Sequence, residues 1–441
     1  MKRGTDMIKR IISSFIALIM ALLPFGEAPA QKCEAKFNGT FIQSWYCLWW
    51  DDARWQEEIK YMKEAGIEYL IVQDIASFTD ADNAELYYPS ELSCFDNCEK
   101  YGDVVGDALR NCQGSGIKVF IGLADFEDWW VSAGLTKQYS IICDKMAIMV
   151  EEIYKKYYPQ YSDTFYGWYF TPEINNVPTM KLSILNIAKG LNKVIDTADA
   201  LNPDMPVLLS PYFTNYISVP SVTAALPEWQ IFMQTVHFRD GDIFCPQDAV
   251  GAGWIKMKDL EKVWKMYSAA VSSCDKNIKL WANCESMTVA RNRQIFMPPA
   301  TLEKENMTAT LDRFVKQMDI ASRYAENIIT FSFNHYYCPV QVNPVYFSTY
   351  LDYLKNGRLE TQPPAEAQNI AFENGVLTWS EARDNMGIAY YIVYDNGKPA
   401  ARVEATEELS FSVTNTKHTY SIIAVDGAGN KSATVDFRLS P

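Results

Sequence analysis

Histidine is nearly missing from this chain, with three residues in 441. With so few imidazoles, and no Cys/His spacing of the zinc-binding kind, a histidine-ligated metal hydrolase is not expected, and no metal site is assigned. Positive charge is also short. Lys and Arg number 40 against 54 Asp and Glu, a formal net charge of −14, so nucleic acid and anionic membrane surfaces are poor partners. No uninterrupted apolar run reaches the roughly 20 residues that span a bilayer. The longest, "IISSFIALIMALLPF", breaks at Pro24. "PQDAVGAG" is glycine-containing but lacks the lysine and spacing of a phosphate loop, so nucleotide binding is not expected either. No cofactor is assigned.

What is present begins with an address. Lys2, Arg3, Lys9 and Arg10 precede that apolar run, and "APA" ends at Ala30 in a small-x-small pattern. This reads as a secretory signal peptide over residues 1–30, with the mature chain starting near Gln31 and an exported location: periplasmic, secreted or cell-surface. Lys32 before Cys33 spoils a lipidation pattern. Ten cysteines in an exported chain permit disulfides, and Cys94, Cys98 and Cys112 fall in one region, without fixing a connectivity. Cys47, Cys245, Cys284 and Cys338 lie in or beside apolar runs and read as small buried residues. Aromatic residues make up 14% of the chain; beyond filling a core, Trp and Tyr faces suit the C–H faces of sugar rings.

Short apolar runs then alternate with longer amphipathic ones eight times. The strand-like runs are "GTFIQSWYC" from Gly39, "YLIVQDIA" from Tyr69, "KVFIGLAD" from Lys118, "FYGWYFTPE" from Phe165, "PVLLSPYF" from Pro206, "DIFCPQDAV" from Asp242, "KLWANCES" from Lys279 and "NIITFSFNHYY" from Asn327. Near-continuous apolar strands separated by helical stretches such as "KDLEKVWKMYSAAVSSC" imply a parallel sheet covered by helices. Eight units in about 320 residues predict a (β/α)8 TIM barrel over residues 31–360. "TQPPAEAQ" then reads as a linker, over 361–367, and residues 368–441 carry strand periodicity only, with "NG" and "DG" turns. There "LTW" (Leu377 to Trp379), "YIVYDNGK" (Tyr391 to Lys398) and "YSIIAVDGAGNKS" (Tyr420 to Ser432) resemble the B, C and F–G strands of a fibronectin type III domain. The resemblance implies a small all-β sandwich acting as a spacer or docking module.

The fourth run carries the chemistry. "FYGWYF" ends at Pro172 and Glu173. If it is the fourth barrel strand, Glu173 stands at the C-terminal rim, where TIM barrels build active sites. Alternation puts Tyr169, Thr171 and Glu173 on one face and Trp168 and Phe170 on the other. The seventh run ends the same way at Glu285, with Asn283 two residues earlier. Glutamates at the ends of strands four and seven face each other across the barrel mouth. One protonated and one ionised carboxylate so placed could cleave a glycosidic bond; a rim salt bridge is the plain structural alternative.

The barrel resembles the large clan of retaining glycoside hydrolases with the acid/base on strand four and the nucleophile on strand seven. More narrowly, "GTFIQSWY", "IVQD", "GWYFTPEI", "PQDAVG" and "WANCES", in this order over roughly Lys36 to Gly357, are similar to an uncharacterised bacterial TIM-barrel family known as a domain of unknown function and suspected of glycoside hydrolase activity. The resemblance implies Glu173 as general acid/base and Glu285 as nucleophile, acting on a carbohydrate substrate. One departure is Pro172, where the clan has an asparagine for the sugar 2-hydroxyl; Asn175 or Asn283 could substitute.

Further rim positions are candidates for holding sugar: Gln43 and Trp45 on the first strand, Gln73 on the second, Asp125 after the third, Gln247 and Asp248 after the sixth, and His335 and Tyr336 after the eighth. For each, packing or rim hydrogen bonding is an equal alternative, and Asp248 could instead be a second acid raising the pKa of Glu285. The long segment Ala76 to Tyr101, Trp129 and Trp130, and "QIFMPPATLEKEN" could wall the site. A non-catalytic carbohydrate-binding protein, or a lyase or metal-dependent reaction through Asp125 and Asp248, are the competing readings.

Overall fold

The computed structural model describes residues 30–126, 137–176, 178–213, 222–289 and 306–438. The expected signal peptide, Trp129 and Trp130, and all but the last residue of "QIFMPPATLEKEN" lie outside the described residues. The strands β1 (Gly39–Ile42), β2 (Tyr69–Val72), β3 (Lys118–Gly122), β4 (Phe165–Phe170), β5 (Val207–Leu209), β6 (Ile243–Phe244), β7 (Lys279–Glu285) and β8 (Asn327–Phe331) form a closed barrel, every neighbour parallel. After each comes a long helix: α1 (Asp52–Glu64), α2 (Val104–Cys112), α3 (Lys137–Tyr161), α4 (Pro178–Leu201), α5 (Val222–Thr235), α6 (Met257–Val271), α7 (Leu311–Ala321) and α8 (Pro344–Asn356). The expected (β/α)8 architecture is therefore the observed one.

Local chemistry sets the helix limits. Asp51 caps α1 by accepting the Arg54 N–H at 2.8 Å. α8 has Asn343 as N-cap, Pro344 in its first turn, and Gly357 at φ 65° as its left-handed stop.

Two periodicities divide the apolar residues between two cores. Phe41, Ile71, Phe120, Tyr169, Leu208, Ile243, Cys245, Trp281 and Ile329 point into the barrel. Trp168 and Phe170 point outward into the layer between strands and helices. At the N-terminal end of the barrel, Tyr69 packs on Trp281 (4.9 Å) and Tyr166 (5.6 Å), Phe120 on Tyr166 (5.2 Å), and the Lys118 ammonium lies over Tyr166 at 4.7 Å. Aromatic rings thus fill that end.

Residues 76–126, expected to contain a long loop, carry a small rim sheet. Its strands Ala76–Phe78, Ala84–Leu86, Glu99–Lys100 and Ala124–Phe126 pair in the order 99–84–76–124. The segment from 368 onward folds as two antiparallel sheets. β9 (Gln368–Glu373), β10 (Val376–Ser380) and β13 (Ser410–Ser412) form one; β12 (Lys398–Glu404), β11 (Ile388–Asp395), β14 (Thr419–Asp426) and β15 (Val435–Arg438) form the other. They enclose Leu377, Trp379, Tyr391, Val393, Tyr420 and Ile422 as a sandwich core. Both Asn-Gly pairs turn hairpins with the positive φ that type I′ turns need: Asn374 53° and Gly375 83°, Asn396 46° and Gly397 74°.

All ten cysteines are unpaired, and Cys47, Cys245, Cys284 and Cys338 are buried as expected. The grouping of Cys94, Cys98 and Cys112 yields no bridge: Cys94 is exposed on the rim, while Cys112 is buried on α2. Among the described residues no helix is long and apolar enough to cross a membrane.

Candidate active site

β4 reaches the rim because Gly167 lets it lie close to β3. A methyl group there would stand 2.5 Å from the Pro206 carbonyl and 2.7 Å from the Phe120 ring. Beyond the strand, the Thr171 hydroxyl donates to the Gln73 carbonyl at 2.9 Å, which ties the chain down just before Pro172 and Glu173. Glu173 hydrogen-bonds the Gln247 side chain, which itself donates to the Ser210 carbonyl at 3.1 Å. Next to it, Asn175 donates to the Tyr212 hydroxyl at 2.8 Å.

On β7, Trp281 faces the barrel interior, and strand alternation sends Asn283 and Glu285 to the same side. Glu285 is 2% exposed, and its Oε2 accepts the Ala252 N–H at 2.6 Å. The loop after β6 can approach this closely because residue 251 is glycine. A Cβ there would lie 2.7 Å from the Glu285 Cβ and 2.6 Å from the Met287 carbonyl. Ala249, two residues earlier, takes a left-handed φ of 54° to begin the wrap.

Asp248, expected among the rim candidates, is fully buried, with its carboxylate beside the Glu285 backbone. Oδ1 accepts the backbone N–H groups of Val250 (3.1 Å) and Glu285 (3.3 Å), and Oδ2 accepts Gln317 Nε2 at 2.5 Å. The same Gln317 nitrogen also donates to the Glu285 carbonyl at 3.2 Å. The reason is alternation: the chain still runs beside β7 here, with Gln247 bridging Asn283 and the Asp248 N–H donating to the Asn283 carbonyl at 2.9 Å, so Gln247 faces Glu173 and the next residue, Asp248, turns away toward Gln317 of α7. So placed, the Asp248 charge acts on the Glu285 carboxyl.

The electrostatics follow from burial and like charge. Burial, with the charges of Asp248 and Glu173, raises the Glu285 carboxyl to about 8, while the Ala252 N–H and Arg313 pull the other way. Burial and the Asp125 charge raise Glu173 to about 7 against the Gln247 hydrogen bond. Asp125 rises to about 6 through burial, and Asp74 to about 7 through burial and the charge of Asp125. Asp248 is raised too, by burial opposed chiefly by Gln317. The mouth therefore holds a chain of interacting carboxyls that cannot all be ionised at neutral pH.

The remaining candidates divide. Gln43 and Trp45 follow the end of β1, where the chain turns into a one-turn helix, Ser44–Cys47, and His335 and Tyr336 sit on a matching helix, Phe333–Tyr336, after β8. The two turns meet: His335 lies 4.2 Å from the Tyr46 ring and 5.6 Å from Trp45, whose indole is 52% exposed. Burial holds His335 neutral, with its pKa lowered to about 4. Its Nε2, the Gln73 Oε1 and the Asn283 Oδ1 are buried atoms with no hydrogen-bond partner among the described residues. Asn283 Nδ2 is held by the Ser210 hydroxyl at 3.2 Å. Asp125 lies on the rim sheet, paired in register with Ser77, rather than on β3 itself. Tyr336 is partly buried against the outer core, and its carbonyl accepts the Thr308 hydroxyl at 3.0 Å.

Sequence reasoning missed Asp74, Gly251, Arg313 and Gln317. Gln317 left a signal: α7 buries Leu311, Phe314, Met318 and Ala321, and Gln317 is a polar residue inside that stripe. Among the described residues no group of His, Cys, Asp and Glu is arranged to hold a metal ion.

Residues 37–343 match the family model described as "Domain of unknown function (DUF4434)", and the chain belongs to that family. No curated protein matches the sequence. Among solved structures, one described as a "putative alpha-L-fucosidase" from Bacteroides thetaiotaomicron VPI-5482 superposes with a TM-score of 0.60 at 19% identity, covering 76% of this chain and 97% of that one. A chitinase from Bacillus thuringiensis (TM-score 0.35, 13% identity, 92% and 85% coverage) and a β-glucuronidase from Bacteroides uniformis (0.41, 9%, 89% and 44%) are more distant. At such identity the first likeness is one of fold, and the other two add no argument.

Proposed function

We propose that this DUF4434 protein is an exported glycoside hydrolase that cleaves an oligo- or polysaccharide with retention, Glu173 acting as acid/base and Glu285 as nucleophile. The observation that carries the reading is the pair itself: Glu173, half-buried just past β4, and Glu285, buried at the end of β7, each shifted upward and each sensing charge from other carboxyls. Three buried polar atoms after the barrel strands or on β7, on Gln73, Asn283 and His335, have no hydrogen-bond partner among the described residues, and buried polar atoms ordinarily find partners. Sugar hydroxyls both donate and accept, so they suit all three, and the exposed Trp45 face suits a pyranose ring.

In this reading protonated Glu173 gives its proton to the glycosidic oxygen as that bond to the anomeric carbon breaks. The Glu285 carboxylate forms the new bond to the same carbon. Glu173, now ionised, then takes a proton from water as the water oxygen displaces Glu285. Gln73, Asn283, His335 and Gln247 orient the sugar, and Asp248 acts from behind Glu285 without touching substrate. Both carboxyls are raised toward neutral pH by burial and like charge, so the productive form, with Glu173 protonated and Glu285 ionised, is bounded on both sides and turnover follows a bell-shaped profile centred near neutral pH or just above it.

Pro172, buried where the resembled clan has asparagine, favours a second reading, a carbohydrate-binding protein without turnover. Residues 31–441 should be screened against aryl glycosides and polysaccharides, with Glu285→Gln and Glu173→Gln in parallel. Cleavage by the parent, lost by ~10²–10⁴-fold in either variant, with the product anomer retained by NMR, is the expected result. Equal glycan binding by all three chains without cleavage sinks the hydrolase in favour of the binder. Inversion of the anomer would overturn the nucleophile role of Glu285.

A further inference from the structure

The C-terminal sandwich is joined to the very helix that supports Glu285. α7 starts at Leu311, and the first N–H groups of a helix have no partner inside it. Thr310 stands at the N-cap position, but its side chain makes no capping hydrogen bond to the helix backbone. The missing acceptors come from the sandwich instead. Leu311 N–H donates to the Gly427 carbonyl at 2.9 Å, and Asp312 N–H to the Ala428 carbonyl at 3.1 Å. Gly429, at φ 98°, lets that turn press against the helix; a Cβ would fall 2.4 Å from Asp312 Oδ1.

A second clasp lies beside the cap. Arg402 of β12 donates to the Thr308 carbonyl at 3.2 Å and to the Tyr346 hydroxyl at 2.8 Å, pairs with Glu404 at 2.6 Å, and lies 3.7 Å from the Tyr390 ring centre. Thr308 and Ala309 in turn hold the barrel mouth. The Thr308 hydroxyl bonds the Tyr336 carbonyl, Ala309 N–H bonds the Ser286 carbonyl at 2.9 Å, and Tyr337 bonds the Ala309 carbonyl at 2.9 Å. Within the next two turns α7 delivers Arg313 to the Met287 carbonyl and Gln317 to both Asp248 and Glu285. Ala389 of β11 is packed into the barrel's own outer core.

We infer that the sandwich is a positioning element of the active site: its 427–429 turn caps α7 and, through Arg313 and Gln317, fixes Glu285 and Asp248. This departs from the spacer or docking role that the fibronectin-like resemblance implies. The catalytic half of the inference rests on the function proposed above; the cap does not.

The test uses the full chain with Gly429→Val, which pushes the turn off Asp312, and Val393→Ala, which loosens the sandwich core away from the interface. Hydrogen exchange is read at the Leu311 and Asp312 amides well below the melting temperature. We expect at least tenfold faster exchange at both amides in Gly429→Val and no change in Val393→Ala. In the same Gly429→Val chain, kcat should fall at least tenfold with KM within twofold, and the limb of the pH profile belonging to Glu285 should move. Unchanged exchange in Gly429→Val overturns the cap. Faster exchange with unaltered kcat and pH profile overturns the positioning role. If the parent cleaves no glycan, the proposed hydrolase fails, and NMR titration of the Glu285 carboxyl in parent and Gly429→Val decides positioning in its place.

Discussion

Asp248 accepts the backbone N–H of Glu285 at 3.3 Å while its other oxygen is held by Gln317 at 2.5 Å, so a second buried carboxyl stands directly behind the proposed nucleophile. Its charge is one of the two largest causes of the raised Glu285 pKa. Asp248→Asn removes that charge and keeps much of the shape. Glu285 should then ionise at lower pH, and the limb of the kcat/KM profile near 8 should move down by roughly one unit or more. A profile measured from pH 4 to 10 checks this; an unmoved limb would detach Asp248 from the titration of Glu285.

The same carboxyls link stability to pH. Asp74, Asp125 and Glu173 each hold a proton in the folded chain to pH 6 or 7, well above their unfolded values. The folded state therefore binds more protons between about pH 4 and 7, and its stability falls as pH rises through that window. His335, lowered to about 4, opposes this trend as one group against three, and Glu34, Asp52 and Asp80, also lowered, oppose it only at more acid pH and from exposed positions. We expect the Tm without ligand to be higher at pH 5 than at pH 8, by on the order of 5 °C. Calorimetry at the two values is sufficient, and a higher Tm at pH 8 would contradict the raised pKa values of these half-buried carboxyls.

Gly251 is chosen by space rather than by φ. Gly251→Ala forces a methyl group against the Glu285 Cβ and the Met287 carbonyl. The overpacking should cost about 1–3 kcal/mol of stability in a denaturant titration. It should also dislodge Glu285 from the Ala252 N–H, so turnover should drop at least ~10-fold with a smaller change in KM. Parent-like turnover would show that this loop does not hold the glutamate.

Trp45 offers its face at the rim, backed by His335 and Tyr46. Trp45→Ala should weaken glycan binding by about 0.5–1.5 kcal/mol, up to roughly tenfold in KM, with kcat little altered. Trp45→Phe should recover part of the loss. An unchanged KM for every cleaved substrate would remove Trp45 from the binding surface.

Most of the barrel was legible because its strands are apolar on both faces and its helices are amphipathic, so the period changes at each junction. The two glutamates were legible because strands that apolar end abruptly in a charge. Gln247 and Asp248 read alike in the sequence, as polar neighbours after an apolar run; the alternation that turns one toward Glu173 and the other toward Gln317 depends on the chain still running beside β7 at Gln247. The rim sheet was hidden because its three-residue strands are too short for a period to register. The α7 cap could not be read at all. It joins backbone groups more than 100 residues apart, and backbone groups are the same in every residue type.

The ring of Tyr69, Phe120, Tyr166 and Trp281 makes the barrel a cul-de-sac. Whatever enters the mouth meets a floor of aromatic rings below the two glutamates. In the proposed hydrolysis, incoming glycan, departing fragment and the attacking water would share one doorway, so the order of their arrivals and departures would be decided at the rim.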